Sequence, residues 1–175
     1  KLGNYKIDAP DYSTPTAAAN ALKSPNMATR YKAWSKLKNW GDQAENALLD
    51  CWKDDNAIVR ARALWLLAKM EGKAIEYISA GLEDANPDMR IVAIRAARQS
   101  NPDNLLATLR KAVNDHDPQV RREVALALRN LDNVDVIAEL WTELALQHDG
   151  RDRWYLEALG IGAIGHWDAC FDHWI

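Results

Sequence analysis

An arginine recurs at nearly constant intervals along this chain, each time inside the same helical pattern. The intervals between successive arginines are 30, 30, 31 and 32 residues. An asparagine or aspartate, the residue types that best cap a helix, stands four positions before each arginine. Small or apolar residues recur three and seven positions after it, so one face of each helix is apolar. This arginine series is Arg30, Arg60, Arg90, Arg121 and Arg153, and its predicted N-caps are Asn26, Asn56, Asn86, Asp117 and Asp149. A period of this length with two helices per unit predicts an all-α fold of the α-solenoid class.

Turn and cap signals divide the chain into a lead-in and a repeat domain. Residues 1–15 have no helical period and contain Pro10 and Pro15, so they are predicted to be an extended linker. Residues 16–175 are predicted to form five antiparallel helix pairs and a truncated sixth, stacked in two layers as a right-handed superhelix. The predicted helices are 16–23, 26–40, 43–53, 57–71, 73–82, 87–99, 102–113, 118–131, 134–147, 150–164 and 167–175. No segment shows the alternation of a β-strand.

The last predicted helix has an apolar face with no following helix to cover it. Phe171, Trp174 and Ile175 stand three and one positions apart there. Terminal solenoid repeats normally present a polar face to solvent, so we expect the natural protein to continue beyond this helix. The chain also begins with Lys1 and not with methionine, which indicates a processed chain or an excised fragment.

Composition argues against two classes of partner. The formal net charge of −3 gives no general attraction to nucleic acids or anionic membranes. The longest apolar runs, such as residues 63–68 and 158–167, are too short to span a bilayer. We therefore predict neither nucleic-acid binding nor membrane insertion.

Two segments resemble the HEAT-repeat signature. The run Asp-x-Asp-Pro-x-Val-Arg stands at residues 115–121, and residues 84–90 are a close variant. The resemblance implies HEAT-like repeats in which the second helix of each pair lines a concave surface.

Three further segments resemble a narrower family. Residues 22–31, 60–67 and 149–158 are similar to the HEAT segment of large bacterial proteins related to membrane-bound or sorbosone-type dehydrogenases. Such proteins place a β-propeller before the repeats and a haem-binding cytochrome c domain after them. The resemblance implies a partner in a neighbouring domain of the same chain, or in an electron-transfer protein, and a periplasmic or otherwise exported location. No Cys-x-x-Cys-His motif occurs here, so no haem or other cofactor is predicted for this chain.

One cluster has the spacing of a metal site. His166, Cys170 and His173 would share a helical face and offer three ligands to a transition metal. The competing interpretation is that Cys170 packs inward and the histidines flank a terminal helix. We favour the second interpretation and predict no metal site.

The arginine series also has two interpretations. A ladder of guanidinium groups would suit a phosphate or carboxylate ligand. Alternatively, each arginine bonds an aspartate or a carbonyl of an inter-helix turn, because its planar fork suits such partly buried pairing. Asp54, Asp84 and Asp115 stand six residues before three of the arginines. We favour the structural role.

A second set of residues is predicted to bind a partner. Positions one, five and eight after each arginine point away from the core at 100° per residue, and they carry tryptophan, aliphatic residues and arginine. This composition is typical of binding hot spots. The predicted binding residues of the concave face are Tyr31, Trp65, Arg95, Arg98, Arg122, Arg129 and Trp154. Trp65 lies between the small residues Ala61 and Ala68, which predicts a shallow pocket. The alternative is that residues 5–12 fold back and cover it.

These observations favour a non-catalytic scaffold that binds proteins or neighbouring domains. The first alternative is a HEAT-like alkylpurine DNA glycosylase or another nucleic-acid-binding HEAT protein, which would need a basic concave face and a catalytic carboxylate. No carboxylate falls in the outward set defined above. A tetrapyrrole chaperone resembling the phycobilin lyases is a third class, with only the fold in its favour.

Overall fold

The computed structural model describes residues 9–175, and every regular element in that range is a helix. The eleven α-helices of this part of the chain are α1 (Pro15–Leu22), α2 (Met27–Trp40), α3 (Glu45–Trp52), α4 (Ala57–Leu67), α5 (Ala74–Leu82), α6 (Pro87–Ser100), α7 (Leu105–Ala112), α8 (Pro118–Leu128), α9 (Val134–Leu146), α10 (Arg153–Gly162) and α11 (Trp167–Trp174). Short 3-10 turns at residues 41–44 and 102–104 lead into α3 and α7. The predicted all-α fold of the α-solenoid class is confirmed. The handedness of the superhelix stays a prediction, and residues 1–8 of the predicted lead-in lie outside the described residues.

Side-chain caps explain where the second helix of each pair begins. The side chains of Asn26, Asn56, Asn86 and Asp117 accept backbone N–H groups from the first turn of α2, α4, α6 and α8, as predicted. Proline occupies the first position of α6 and α8, where its missing N–H costs nothing. These local signals therefore set the starts of four helices.

Helix ends differ more from the prediction. The predicted helix 57–71 ends at Leu67, because the N–H groups of Lys69 and Met70 bond carbonyls only three residues earlier. This tightening ends the α-helical ladder and buries Met70. Helix α10 begins three residues later than predicted, at Arg153.

The chain divides into two compact units, and the boundary lies inside the predicted repeat domain of residues 16–175. The first unit ends at Met70 and contains α1 to α4. In it α1 packs on α2, and α3 packs on α4 and along α1. The core of this unit is aliphatic, and its largest buried side chains are Leu22, Leu37, Leu48, Leu64 and Leu67.

The second unit runs from Glu71 to Ile175 and forms two layers. Helices α6, α8 and α10 pack side by side, and we refer to them as the second-helix layer. Helices α5, α7, α9 and α11 form the first-helix layer, in which α5 packs along α7 and α9 along α11. An ion pair between Arg110 and Glu139 links α7 to α9. The core between the layers contains Ile94, Leu109, Val124, Leu128 and Ile137.

None of the helices in residues 9–175 combines the length and hydropathy needed to cross a membrane.

Candidate functional site

Four arginines of the series close the turn that precedes their own helix. In each case Nη1 donates to the backbone carbonyl six residues earlier, at 2.7–3.2 Å. The pairs are Arg30 with Ser24, Arg60 with Asp54, Arg90 with Asp84, and Arg121 with Asp115. The side chain of the same acceptor residue also binds the N–H of the N-cap residue two positions later. The arginine and the cap therefore hold opposite ends of one turn.

Arg90 additionally links two successive repeats. Its Nε lies 2.7 Å from Oδ2 of Asp115 and its Nη2 lies 2.9 Å from Oδ1. Both side chains are almost fully buried. Donation of these hydrogen bonds to the Asp115 carboxylate raises the pKa of Arg90 above its already high value. Burial alone would raise the pKa of Asp115, but hydrogen bonds from Arg90 and from the N–H of Asp117 lower it below its usual range.

The prediction that Arg153 is the fifth member of the series is wrong. The N-cap of α10 is Asp152, and the predicted cap Asp149 instead accepts N–H groups within the preceding turn. Four positions after Asp152 stands Leu156, so no arginine occupies the equivalent site. Arg153 has an 82% exposed side chain and forms only a long ion pair of 3.5 Å with Glu157.

In the fifth repeat a tyrosine, Tyr155, makes side-chain hydrogen bonds that link the helix to its neighbours, and no arginine does so. Its buried hydroxyl donates to the carbonyl of Leu144 at 3.0 Å and accepts from Nε of Arg121 at 3.4 Å. Burial raises the pKa of this phenol. The Tyr155 side chain therefore ties α10 to the end of α9 and to the arginine of the preceding repeat.

The predicted binding residues Arg95 and Arg98 converge on one buried carboxylate. Glu123 of α8 is only 4% exposed, and its Oε2 accepts from Nη2 of Arg95 at 2.7 Å. Its Oε1 lies 3.7 Å from Nη1 of Arg98. This pairing raises the pKa of Arg95. The two guanidinium groups are therefore partly neutralised and fixed in position at the boundary of α6 and α8.

An open groove of about 470 Å³ lies between α8 and α10. We define this α8–α10 groove by its lining residues, which are Arg122, Leu126, Trp154, Glu157, Ala158 and Ile161. Trp154 is 70% exposed, which is unusual for so large an apolar ring. The groove thus combines an apolar floor, an aromatic wall, one cation and one carboxylate.

A close contact between two helices holds the groove in place. A Cβ built on Gly162 would lie 2.5 Å from the backbone carbonyl oxygen of Ala125, so only glycine allows α10 to approach α8 this closely. From the other layer, Nε1 of Trp141 donates to the carbonyl of Leu159 at 2.9 Å. These two contacts fix the position of α10 against its neighbours.

The remaining predicted binding residues lie elsewhere. Arg129 is exposed at the C-cap of α8. Tyr31 and Trp65 belong to the first unit, where Tyr31 is exposed beside Tyr12 in a smaller groove of about 250 Å³.

The side chain of Trp65 is half-buried. The prediction that Ala61 and Ala68 both border a pocket at Trp65 is wrong for Ala68, because Ala68 is completely buried and faces the core. Of the lead-in proposed to cover Trp65, residues 5–8 lie outside the described residues.

The three candidate metal ligands are not grouped, and His166 is the N-cap residue of α11, outside the helix that carries Cys170 and His173. Cys170 is fully buried, which raises the pKa of its thiol. Nδ1 of His173 lies 3.2 Å from Oγ1 of Thr142. Within residues 9–175, no three histidine, cysteine, aspartate or glutamate side chains are grouped to hold a metal ion.

Charge is divided unevenly between the two layers of the second unit. The three helices of the second-helix layer contain six arginines and three carboxylates: Arg90, Arg95, Arg98, Arg121, Arg122 and Arg153, with Asp88, Glu123 and Glu157. The four helices of the first-helix layer contain two bases and six carboxylates: Arg110 and Lys111, with Glu76, Asp135, Glu139, Glu143, Asp168 and Asp172. The groove therefore lies among helices that contain more arginines than carboxylates, in a chain whose net charge is negative.

Two carboxylates at this site are absent from the sequence prediction. Glu123 stands two positions after its arginine, on the flank of the helix, and its role depends on Arg95, which lies 28 residues earlier. The sequence prediction misses Glu157 because it aligns the fifth repeat on Arg153. Counting from Asp152 places Glu157 in the outward position that Arg122 occupies on α8.

Residues 75–160 match the sequence family of HEAT repeats. The matched part runs from α5 into α10, and it contains every residue of the α8–α10 groove except Ile161. HEAT repeats generally form non-catalytic helical scaffolds, often for protein interaction. No curated protein sequence matches the chain.

Proposed function

We propose that this HEAT-repeat segment is a non-catalytic scaffold that binds a protein partner through its second-helix layer, with the α8–α10 groove as the centre of contact. The observation that carries the proposal is Trp154, whose ring is largely exposed beside Arg122 in an apolar groove. Tryptophan and arginine are the residues most enriched among binding hot spots.

The free energy that the fold forgoes by leaving Trp154 exposed supports this interpretation. Burying a large aromatic side chain stabilises a fold by about 2 kcal/mol, and this ring forgoes most of that gain. Tyr155, its neighbour in sequence, is fully buried and fixes the helix. The fold therefore does not need Trp154 for anchoring, and its ring is available to a partner.

The resemblance to dehydrogenase-like proteins suggests which partners to test first. We propose a neighbouring domain of the same chain, of the β-propeller or cytochrome c type, or a periplasmic electron-transfer protein. The mixed composition of the groove suits a protein surface, since Arg122 and Glu157 offer both signs of charge around an apolar floor.

Site-specific photo-crosslinking tests the proposal. A benzophenone amino acid would replace Trp154 in one sample and Ile75 in another, because Ile75 is an exposed apolar residue on α5 in the first-helix layer. We expect a discrete crosslinked protein from position 154 and none from position 75. Equal crosslinking from both positions, or none from position 154, would contradict the proposed binding surface.

One observation also favours a second candidate, the alkylpurine DNA glycosylase. Such an enzyme would need a carboxylate beside aromatic and basic residues, and Glu157 lies in the groove with Trp154 and Arg122. Incubation with duplex DNA containing an alkylated purine tests it. Release of the base by the wild type, lost in Glu157→Gln, would establish this activity and refute a purely non-catalytic role.

A further inference from the structure

We infer that the α8–α10 groove takes an extended acidic segment of a partner protein, with a large apolar side chain placed between two carboxylates. The inference rests on the proposed function and names the chemistry of the partner. It follows from the shape of the groove, from the position of its cations and from the charge of its layer.

The groove has the dimensions of a short extended peptide. Trp154 and Ile161 line it seven residues apart on α10, a separation of about 10 Å along the helix axis. An extended chain in the polyproline II conformation advances about 3.1 Å per residue, so three residues span that length, and every third side chain lies on the same side. Leu126 and Ala158 form an apolar floor that would receive one aliphatic or aromatic side chain.

The cations of α8 define where the carboxylates would bind. Within the described part of the chain, the Arg122 guanidinium forms no ion pair, whereas Arg95 is held by Glu123. Arg129 is exposed two helical turns beyond Arg122, about 10 Å further along α8. Leu126 lies between them on the same face. Two carboxylates three positions apart on a segment in the polyproline II conformation lie on one side and would therefore reach both arginines.

Glu157 provides a test of the sign of the partner's charge. Its carboxylate lies in the wall of the groove and is only weakly engaged by Arg153 at 3.5 Å. It would repel an acidic segment slightly and attract a basic one. Removing its charge should therefore strengthen the binding of an acidic segment and weaken that of a basic one.

A displayed library of random twelve-residue peptides, selected on the full chain and counter-selected against Trp154→Ala, identifies the preferred segment. We expect recovered peptides to carry an apolar residue flanked by aspartate or glutamate three positions apart. Recovery of basic or uncharged peptides, or of none that depend on Trp154, would overturn the inference. Crosslinking from position 154 to a folded protein would still support the proposed function in that case.

Titration of a recovered, fluorescently labelled peptide provides the second measurement. Arg122→Glu should weaken binding by about tenfold, since a cation is replaced by a repelling charge. Glu157→Gln should strengthen it, and Arg110→Gln, which removes a cation from the first-helix layer, should leave it within about twofold. Circular dichroism checks that each variant is folded. Equal losses in Arg122→Glu and Arg110→Gln would mean that only net charge matters and would overturn the inference.

Discussion

Arg90 and Asp115 face each other in a two-bond ion pair that joins consecutive repeats, with Nε to Oδ2 at 2.7 Å and Nη2 to Oδ1 at 2.9 Å. The same guanidinium donates to the carbonyl of Asp84 in its own turn. The side chains of Arg90 and Asp115 are 5% and 10% exposed, so each charge is compensated mainly by the other and little by water. The pair therefore fixes the spacing of two repeats beside the second-helix layer.

Replacing Arg90 by alanine should lower the free energy of unfolding by about 3 kcal/mol, because the substitution leaves a buried carboxylate without its partner. Arg110→Ala is the matched control, since Arg110 makes a similar two-bond pair with Glu139 on the surface. Water screens that pair, so little change is expected there. Urea denaturation of both variants measures the difference, and similar losses would contradict the account.

Acid should remove the contribution of Asp115. Its pKa in the folded protein lies below its usual value of 3.8, so the stabilisation is present above that pH and is lost as the pH falls through the lower, folded value. The stability difference between the wild type and Asp115→Asn should therefore be larger at neutral pH than near pH 3. Urea denaturation at both values tests this, and a difference that grows in acid would have the wrong sign.

The corrected fifth repeat predicts different roles for two arginines. Arg121 donates to the Asp115 carbonyl at 2.7 Å and contacts the Tyr155 hydroxyl, so Arg121→Ala should cost about 1–3 kcal/mol. Arg153→Ala should change stability by less than about 0.5 kcal/mol, because its ion pair is exposed. Thermal unfolding compares them. A loss of stability in Arg153→Ala as large as that in Arg121→Ala would contradict the removal of Arg153 from the arginine series.

The contact between α8 and α10 can be tested at Gly162. Gly162→Ala should destabilise the fold by about 1–3 kcal/mol, since the added methyl group would overlap the Ala125 carbonyl. Gly160→Ala on the same helix is the control, because the atom nearest to a Cβ added at that position lies 4.0 Å away. That change should be neutral or stabilising by up to about 1 kcal/mol. A neutral Gly162→Ala would show that the helices separate easily.

The sequence predicts the helices well because their starts are determined locally. Asn86 with Pro87, and Asp117 with Pro118, identify a helix start without reference to the rest of the chain. Asp149 and Asp152 are equally good capping residues three positions apart, and only packing selects the second. That choice decides whether Arg153 or Leu156 takes the position of the repeated arginine.

The binding surface is harder to predict because it depends on neighbouring helices. Trp154 is correctly predicted to point outward, although its repeat is aligned incorrectly. Trp65 is half-buried, and Arg95 is bound by Glu123 of another helix. A helical wheel describes one helix alone and cannot predict contacts with its neighbours. Arg122 with Trp154 is therefore a better pair of residues for binding studies than Trp65 with Arg95.

The most direct test of the proposed function is the affinity of the partner identified by crosslinking for the wild type, Trp154→Ala and Leu146→Ala. Leu146 is the control, since it is 71% exposed on α9 in the first-helix layer. We predict that Trp154→Ala weakens binding by tenfold or more, about 1.4 kcal/mol, whereas Leu146→Ala stays within about twofold of the wild type. Unchanged affinity in folded Trp154→Ala, or an equal loss in both variants, would contradict binding through the α8–α10 groove.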